Sequence, residues 1–138
     1  MTLFCVDTSA WHHAGRPEVA KRWLAVLSAN QVGICDQVRL EILYSARSAA
    51  DYDALADELD SLARIPIDTD TFARAYQVQR ELAHAGGLHH RSVKIADLII
   101  AAAAELSGTV LWHYDEDYDR VAGVTGQRTE WIVPRGSL

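Results

Sequence analysis

The sequence predicts an α/β fold, a three-layer α/β/α sandwich on a central, mainly parallel sheet, and three observations predict it. Apolar runs of strand length, "LFCV", "VGIC" and "TVLW", recur between segments of helical periodicity. Their apolar character is continuous rather than alternating, as in strands covered on both faces. One segment, "ADLIIAAAAEL", is apolar nearly all round, the mark of a buried helix. Strands alternating with helices close into a parallel sheet by right-handed crossovers.

Taken in order, "LFCV" reads as a buried strand ending at Asp7, and Thr8-Ser9 before Ala10 and Trp11 read as the start of a short helix. In "RPEVAKRWLAVLSAN", Pro17 suits a first helical turn, and Val19, Trp23, Val26 and Leu27 form the apolar stripe. A strand "QVGICD" precedes helical "QVRLEILYSAR", where Val38, Ile42 and Ser45 share a face with Glu41. The acidic segment "ADYDALADELDSLAR" is expected to be helical throughout, with Tyr52, Leu55, Leu59 and Leu62 on one side. After "IPID", helical "TDTFARAYQVQRELAHAG" stops at Gly86-Gly87. A polar loop "LHHRSVK" leads into the all-apolar helix, then come strand "TVLWHY", a turn and short helix "DEDYDRVAG", and a last strand "TEWIV".

The 138 residues suit one domain, 1–138, without linker or repeat, long enough to bury roughly two-thirds of the unfolded surface. The start carries no basic region, no apolar run approaches the ~20 residues of a membrane span, and a soluble cytoplasmic protein is expected. Cys5 and Cys35 fall in strand-like runs, with no Cys-x-x-Cys, and are expected to pack as small hydrophobes. "VPRGS" near the end resembles part of a cleavable linker, but "QRTEWIV" runs into it unbroken and it reads as native. The net charge of −6 disfavours a nonspecific nucleic-acid coat. It is compatible with a nuclease whose carboxylates hold a cation.

Acids stand where solvated charges are not expected: Asp7 at a strand's carboxyl end, Glu41 inside an apolar helix, Asp97 in the first turn of the buried helix, and Asp115 and Asp117 just after a strand. Each has an ordinary structural reading. Asp97 favours a helix dipole, Asp115 and Asp117 cap a helix, and Glu41 pairs with Arg39 or Arg47. Gathered at one sheet edge, however, they would raise one another's pKa, and only a cation makes such a cluster sensible. All-oxygen ligands select a hard ion, Mg²⁺ or Mn²⁺, able to assist hydrolysis of a phosphodiester.

The set "VDTSAW", "RLEILYS", "HHRSVKIADLIIAAAAELSG" and "VLWHYDEDYDRVAG" resembles the PIN-domain ribonucleases, specifically the VapC toxins of type II toxin-antitoxin modules, in order and over nearly the whole chain. The resemblance implies a PIN-like sandwich and Mg²⁺-dependent endoribonuclease activity against structured RNA such as tRNA or rRNA. It also implies a VapB-type antitoxin, and a homodimer that becomes a heterotetramer or larger with it. By motif, the family's four acids fall on Asp7, Glu41, Asp97 and Asp115, with Asp117 an auxiliary acid. Ser9, or failing that Thr8, matches a hydroxyl that orients the first acid or a water. Tyr118 stands where the family commonly has Phe, a departure expected to be harmless.

Of the six histidines, the pairs His12-His13 and His89-His90 have no zinc-ligand spacing. His113 is either a core histidine bonded to backbone or a support for the acids. Arg91 and Lys94 are expected to contact RNA phosphates, against the alternatives of a solvated loop charge or an ion pair with a site carboxylate. The tryptophans read as core, Trp11 excepted, which is placed to meet a partner. A haloacid-dehalogenase phosphatase would need an Asp where Ser9 stands, and a pure binding domain would need a decayed acidic set. A PIN nuclease that processes RNA without an antitoxin is the alternative that stays open.

Overall fold

The computed structural model describes residues 3–138 as a five-stranded sheet in the order β3-β2-β1-β4-β5. The elements are β1 (Phe4–Val6), α1 (Thr8–His13), α2 (Pro17–Ser28), β2 (Val32–Cys35), α3 (Asp36–Tyr44), α4 (Ala49–Asp60), β3 (Ala63–Ile65), α5 (Thr69–His84), α6 (Ile95–Leu106), β4 (Val110–His113), α7 (Asp117–Thr125) and β5 (Thr129–Trp131). All four strand pairings are parallel. Helices cover both faces, giving the three-layer sandwich expected from the sequence.

The apolar runs become the centre of the sheet. Cys5, Val6, Leu111 and Trp112 are fully buried, and all of β2 is buried with them. Burying one large side chain of this kind contributes about 1.5–3 kcal/mol. Cys5 and Cys35 are free, buried thiols. The stripe on α2 buries Val19, Trp23 and Val26, and Trp23 stacks on Trp112 at 5.8 Å. As its composition requires, α6 is buried along nearly its whole length and packs against α5, α7, β2 and β4. Arg74 of α5 grips Glu105 of α6 with two hydrogen bonds, 2.5 and 3.1 Å.

The largest difference from the sequence expectation lies at the end of the acidic segment. The acidic helix ends at Asp60 rather than Arg64, Ser61 turns its hydroxyl back to the Glu58 carbonyl at 2.6 Å, and Ala63–Ile65 forms edge strand β3. Three residues are too few to show a strand period, and only Ile65 of the three is buried. What admits this strand is Gly33 of β2: a Cβ there would meet the Ala63 carbonyl oxygen and the Ile65 side chain at 3.1 Å each. The Gly86-Gly87 stop holds, both at positive φ, with α5 ending at His84. The loop before α6 contains a 3₁₀ turn at His89–Arg91.

The chain runs from β1 outward through β2 and β3, then crosses to the other side of β1 to make β4 and β5. The order reverses between β1 and β4, and in open α/β sheets such a switch point opens a crevice at the strands' carboxyl ends. Here the Asp7 N–H donates to the Trp112 carbonyl at 3.0 Å, so the ends of β1 and β4 lie side by side. Asp7 and the segment after His113 therefore share one edge. No helix among the described residues is long and apolar enough to cross a membrane.

Candidate active site

Asp7 is the N-cap of α1, which begins at Thr8 as the sequence suggests. Its Oδ2 accepts the Ser9 N–H at 3.0 Å and the Ser9 hydroxyl at 2.5 Å, the local geometry that places Asp before a helix. Ser9 Oγ in turn accepts the Tyr114 N–H at 3.0 Å, fastening α1 to the chain leaving β4. Asp7 is only 4% exposed. Thr8 points the other way and donates to Glu41 at 2.5 Å. Glu41 also accepts from Gln37, one helical turn earlier, at 3.2 Å. The two neighbouring hydroxyls thus serve two different acids, and Glu41 has neither Arg39 nor Arg47 as its partner. Arg39 pairs with Asp60 instead.

Asp97, Asp115 and Asp117 form the densest part of the edge: each offers a carboxylate oxygen within 4.8 Å of the others. Asp97 lies in the first turn of α6 and is buried. Its Oδ2 has no hydrogen-bond partner. Burial, followed by the nearby Asp7 and Asp115 charges, pushes its pKa up to about 7. Asp117 is also raised, first by burial and then by Asp115, with Arg120 and Lys94 pulling the other way. Such repulsion is what a bound cation relieves. A buried carboxylate oxygen without a partner, in an all-oxygen donor set, fits a hard divalent ion such as Mg²⁺.

Neither Asp115 nor Asp117 caps α7, although capping is the sequence expectation for Asp117: the N-cap is Glu116, without a side-chain capping bond, and Asp115 instead supports the first turn. Its Oδ1 accepts the Asp117 N–H at 2.9 Å. Asp117 is already helical and binds Arg120 at 2.9 Å. His113 is fully buried, and its Nδ1 accepts the Asp115 N–H at 3.1 Å, so it is a core histidine that also holds the backbone of an acid. Burial lowers its pKa, keeping the ring neutral and able to accept. Arg91 lies in the 3₁₀ turn and Lys94 is the N-cap of α6; both are exposed, and Lys94 lies near enough to Asp117 to lower its pKa. Away from the acids, half-buried Trp11 packs edge-on against Trp23 at 5.7 Å and helps line a cleft of about 410 Å³ with Leu24 and Glu58.

One polar group was missed from sequence. The Tyr118 hydroxyl donates to Asp7 Oδ1 at 2.7 Å and lies 3.2 Å from Asp97 Oδ1. It links Asp7, which stands outside the three-acid group, to that group's buried member. The signal was present: a phenol one residue after Asp117, inside a fold whose acids are buried.

The PIN domain family model matches residues 4–124. Ribonuclease VapC18 of Mycobacterium tuberculosis is 81% identical over 136 residues, covering 99% of each chain. Ribonuclease VapC21 of the same organism is 37% identical over 137 residues, covering 99% of this chain and 98% of its own. In structure, the chain resembles that in DNA-bound VapBC from Salmonella typhimurium with a TM-score of 0.77 at 23% identity, over 96% of this chain and 100% of that one. With the switch-point acids, the matched domain and full-length relatives in agreement, this chain belongs to the PIN-domain family and, within it, to the VapC ribonucleases.

Proposed function

We propose that this chain is a Mg²⁺-dependent endoribonuclease, the toxin of a type II VapBC toxin-antitoxin module, which inhibits translation by cleaving structured RNA such as tRNA or rRNA. One observation carries the reading: the unpartnered buried oxygen of Asp97, gathered with Asp115 and Asp117 at the sheet's switch point. Asp97, Asp115 and Asp117 would hold the ion, with Asp7 and Glu41 completing the acidic set. A bound Mg²⁺ or Mn²⁺ would supply Lewis acidity toward the scissile phosphate and the attacking water.

The chain's own residues do the rest. Ser9 fixes the rotamer of Asp7, and Thr8 with Gln37 fixes Glu41, so neither acid must reorganise when the site fills. Asp97 gives up its proton to bind a cation, so affinity falls with acidity. Asp115 contributes more, and Asp117 less, because Arg120 already pairs with one of its oxygens. Arg91 and Lys94 take RNA phosphates next to the metal site, offsetting the chain's net charge of −6 where it matters.

The partner is a VapB-type antitoxin, and two copies of the toxin pair before assembling with it as a heterotetramer or larger, in the cytoplasm. Full-length similarity to VapC relatives supports this assembly, as does the apolar cleft beside Trp11. An RNA-processing nuclease without an antitoxin is the second reading, and co-purification with the neighbouring gene's product separates the two. The deciding experiment maps 5′ ends of cellular RNA after brief expression of the parent chain and of Asp7→Asn. Cuts at one RNA loop in the parent alone support the proposal. Cleavage by purified chain that survives EDTA, or returns only with Zn²⁺, overturns it.

A further inference from the structure

Tyr118 is fully buried in the first turn of α7, where a phenylalanine would satisfy the packing alone. Its ring lies 5.0 Å from that of His113, an aromatic contact that needs no hydroxyl. The hydroxyl nonetheless reaches across to the two most buried acids of the edge, Asp7 at 2.7 Å and Asp97 at 3.2 Å. A phenol carries one proton. The shorter contact assigns it to Asp7, while Asp97 stands as the longer, second neighbour.

The consequence for Asp7 is a clamp on both oxygens. Oδ2 is held by Ser9 through its N–H and hydroxyl, and Oδ1 by Tyr118. These donors come from α1 and α7, so the carboxylate plane is fixed by two elements far apart in the chain. Asp97 has no such holder for Oδ2. The phenol oxygen therefore occupies the space between two carboxylates that would otherwise face each other directly, and it sets their separation and orientation.

We infer that Tyr118 is a positioning residue, whose hydroxyl holds Asp7 and spaces it from Asp97 so that the edge receives a divalent cation without rearranging. This rests on the metal reading proposed above. Removing the hydroxyl leaves Asp7 Oδ1 without its donor and lets the two carboxylates rotate apart, and binding must then restore the arrangement.

The test is Mn²⁺ binding by titration calorimetry to the purified chain and to Tyr118→Phe, alongside their metal-free melting. The expected result is a folded variant melting close to the parent, with Mn²⁺ affinity about 10-fold weaker, the size seen when outer partners of metal ligands are lost. Adding Ser9→Ala should show coupling, because both changes release the same carboxylate: the double variant should lose less than the product of the two single losses. A near-ultraviolet difference spectrum on adding Mg²⁺ to the parent gives a readout independent of how well Tyr118→Phe folds. A phenol-type difference is expected. Parent-like Mn²⁺ affinity in Tyr118→Phe, or a silent spectrum, overturns the positioning role and leaves the metal reading standing. A parent chain that binds no Mn²⁺ overturns both.

Discussion

The acidic edge has two halves that differ in how their oxygens are used. On the β1 side, Asp7 has donors on both oxygens from Ser9 and Tyr118, and Glu41 has them from Thr8 and Gln37. On the α6–β4 side, Asp97, Asp115 and Asp117 crowd within 4.8 Å, and Asp97 keeps a buried oxygen with no partner. Both halves bury carboxylate, yet only the second leaves a buried oxygen, Asp97 Oδ2, without a donor, although Asp117 has Arg120. The first half holds its acids in place before any ion arrives, and the second stores the repulsion that a cation relieves.

The sharpest way to break this comparison is Asp97→Asn. It removes the unanswered charge and should cut RNA cleavage by at least about 100-fold, the loss of some 3 kcal/mol of transition-state stabilisation. In EDTA at pH 8 the same variant should melt above the parent, because repulsion has gone. A lower melting temperature would show that Asp97 is not strained. Equal cleavage would remove it from the chemistry.

The pH dependence follows with its sign. The folded pKa of Asp97, about 7, lies above its unfolded value near 3.9, so the folded state holds an extra proton between the two. That contribution is present in full below the unfolded value and is lost as pH rises through about 7. Metal-free parent should therefore lose on the order of 2 kcal/mol between pH 5.5 and 8.5 relative to Asp97→Asn. His113, lowered by burial, works in the opposite direction below its unfolded value, which makes the difference from Asp97→Asn the proper measure. Chemical denaturation of both proteins at four pH values checks it, and parallel curves would contradict it.

A smaller effect separates Asp115 from Asp117. Asp115→Asn should lower cleavage more than Asp117→Asn at saturating Mg²⁺. Asp115→Ala, which frees the Asp117 N–H, should also cost about 1 kcal/mol of stability. Asp117→Ala loses only the bond to half-exposed Arg120 and should cost less. The reverse order in either assay would exchange the two roles. Least of all, Thr8→Val should reduce cleavage by less than 10-fold, with about 1 kcal/mol lost, since Gln37 still holds Glu41. A loss as large as that of Asp97→Asn would show that Thr8 does more than hold Glu41.

Much of this was legible from the residues because the signals are local. Asp7 caps α1 two residues before its donor Ser9, "VGIC" and "VLW" are buried strands because every residue in them is apolar, and Asp97 marks the first turn of the helix it begins. The edge strand Ala63–Ile65 was not legible: it depends on room left by Gly33, thirty residues away in sequence and adjacent only in the sheet. The same holds for Glu41, whose partner Thr8 lies on another element, rather than the charged residues near it in the chain.

The sequence by itself determined the alternation of strands and helices, the depth of the central sheet and which acids stand at element ends, because each follows from periodicity or from a contact a few residues long. Only the tertiary structure decided how those acids divide. Chain reversal between β1 and β4 brings Asp7 beside the Asp115 segment, and Tyr118, 111 residues from Asp7, gives its one proton to Asp7 with Asp97 as its second neighbour. A hydroxyl's partner is fixed by where the backbone returns in space, and no local pattern of residues encodes that return.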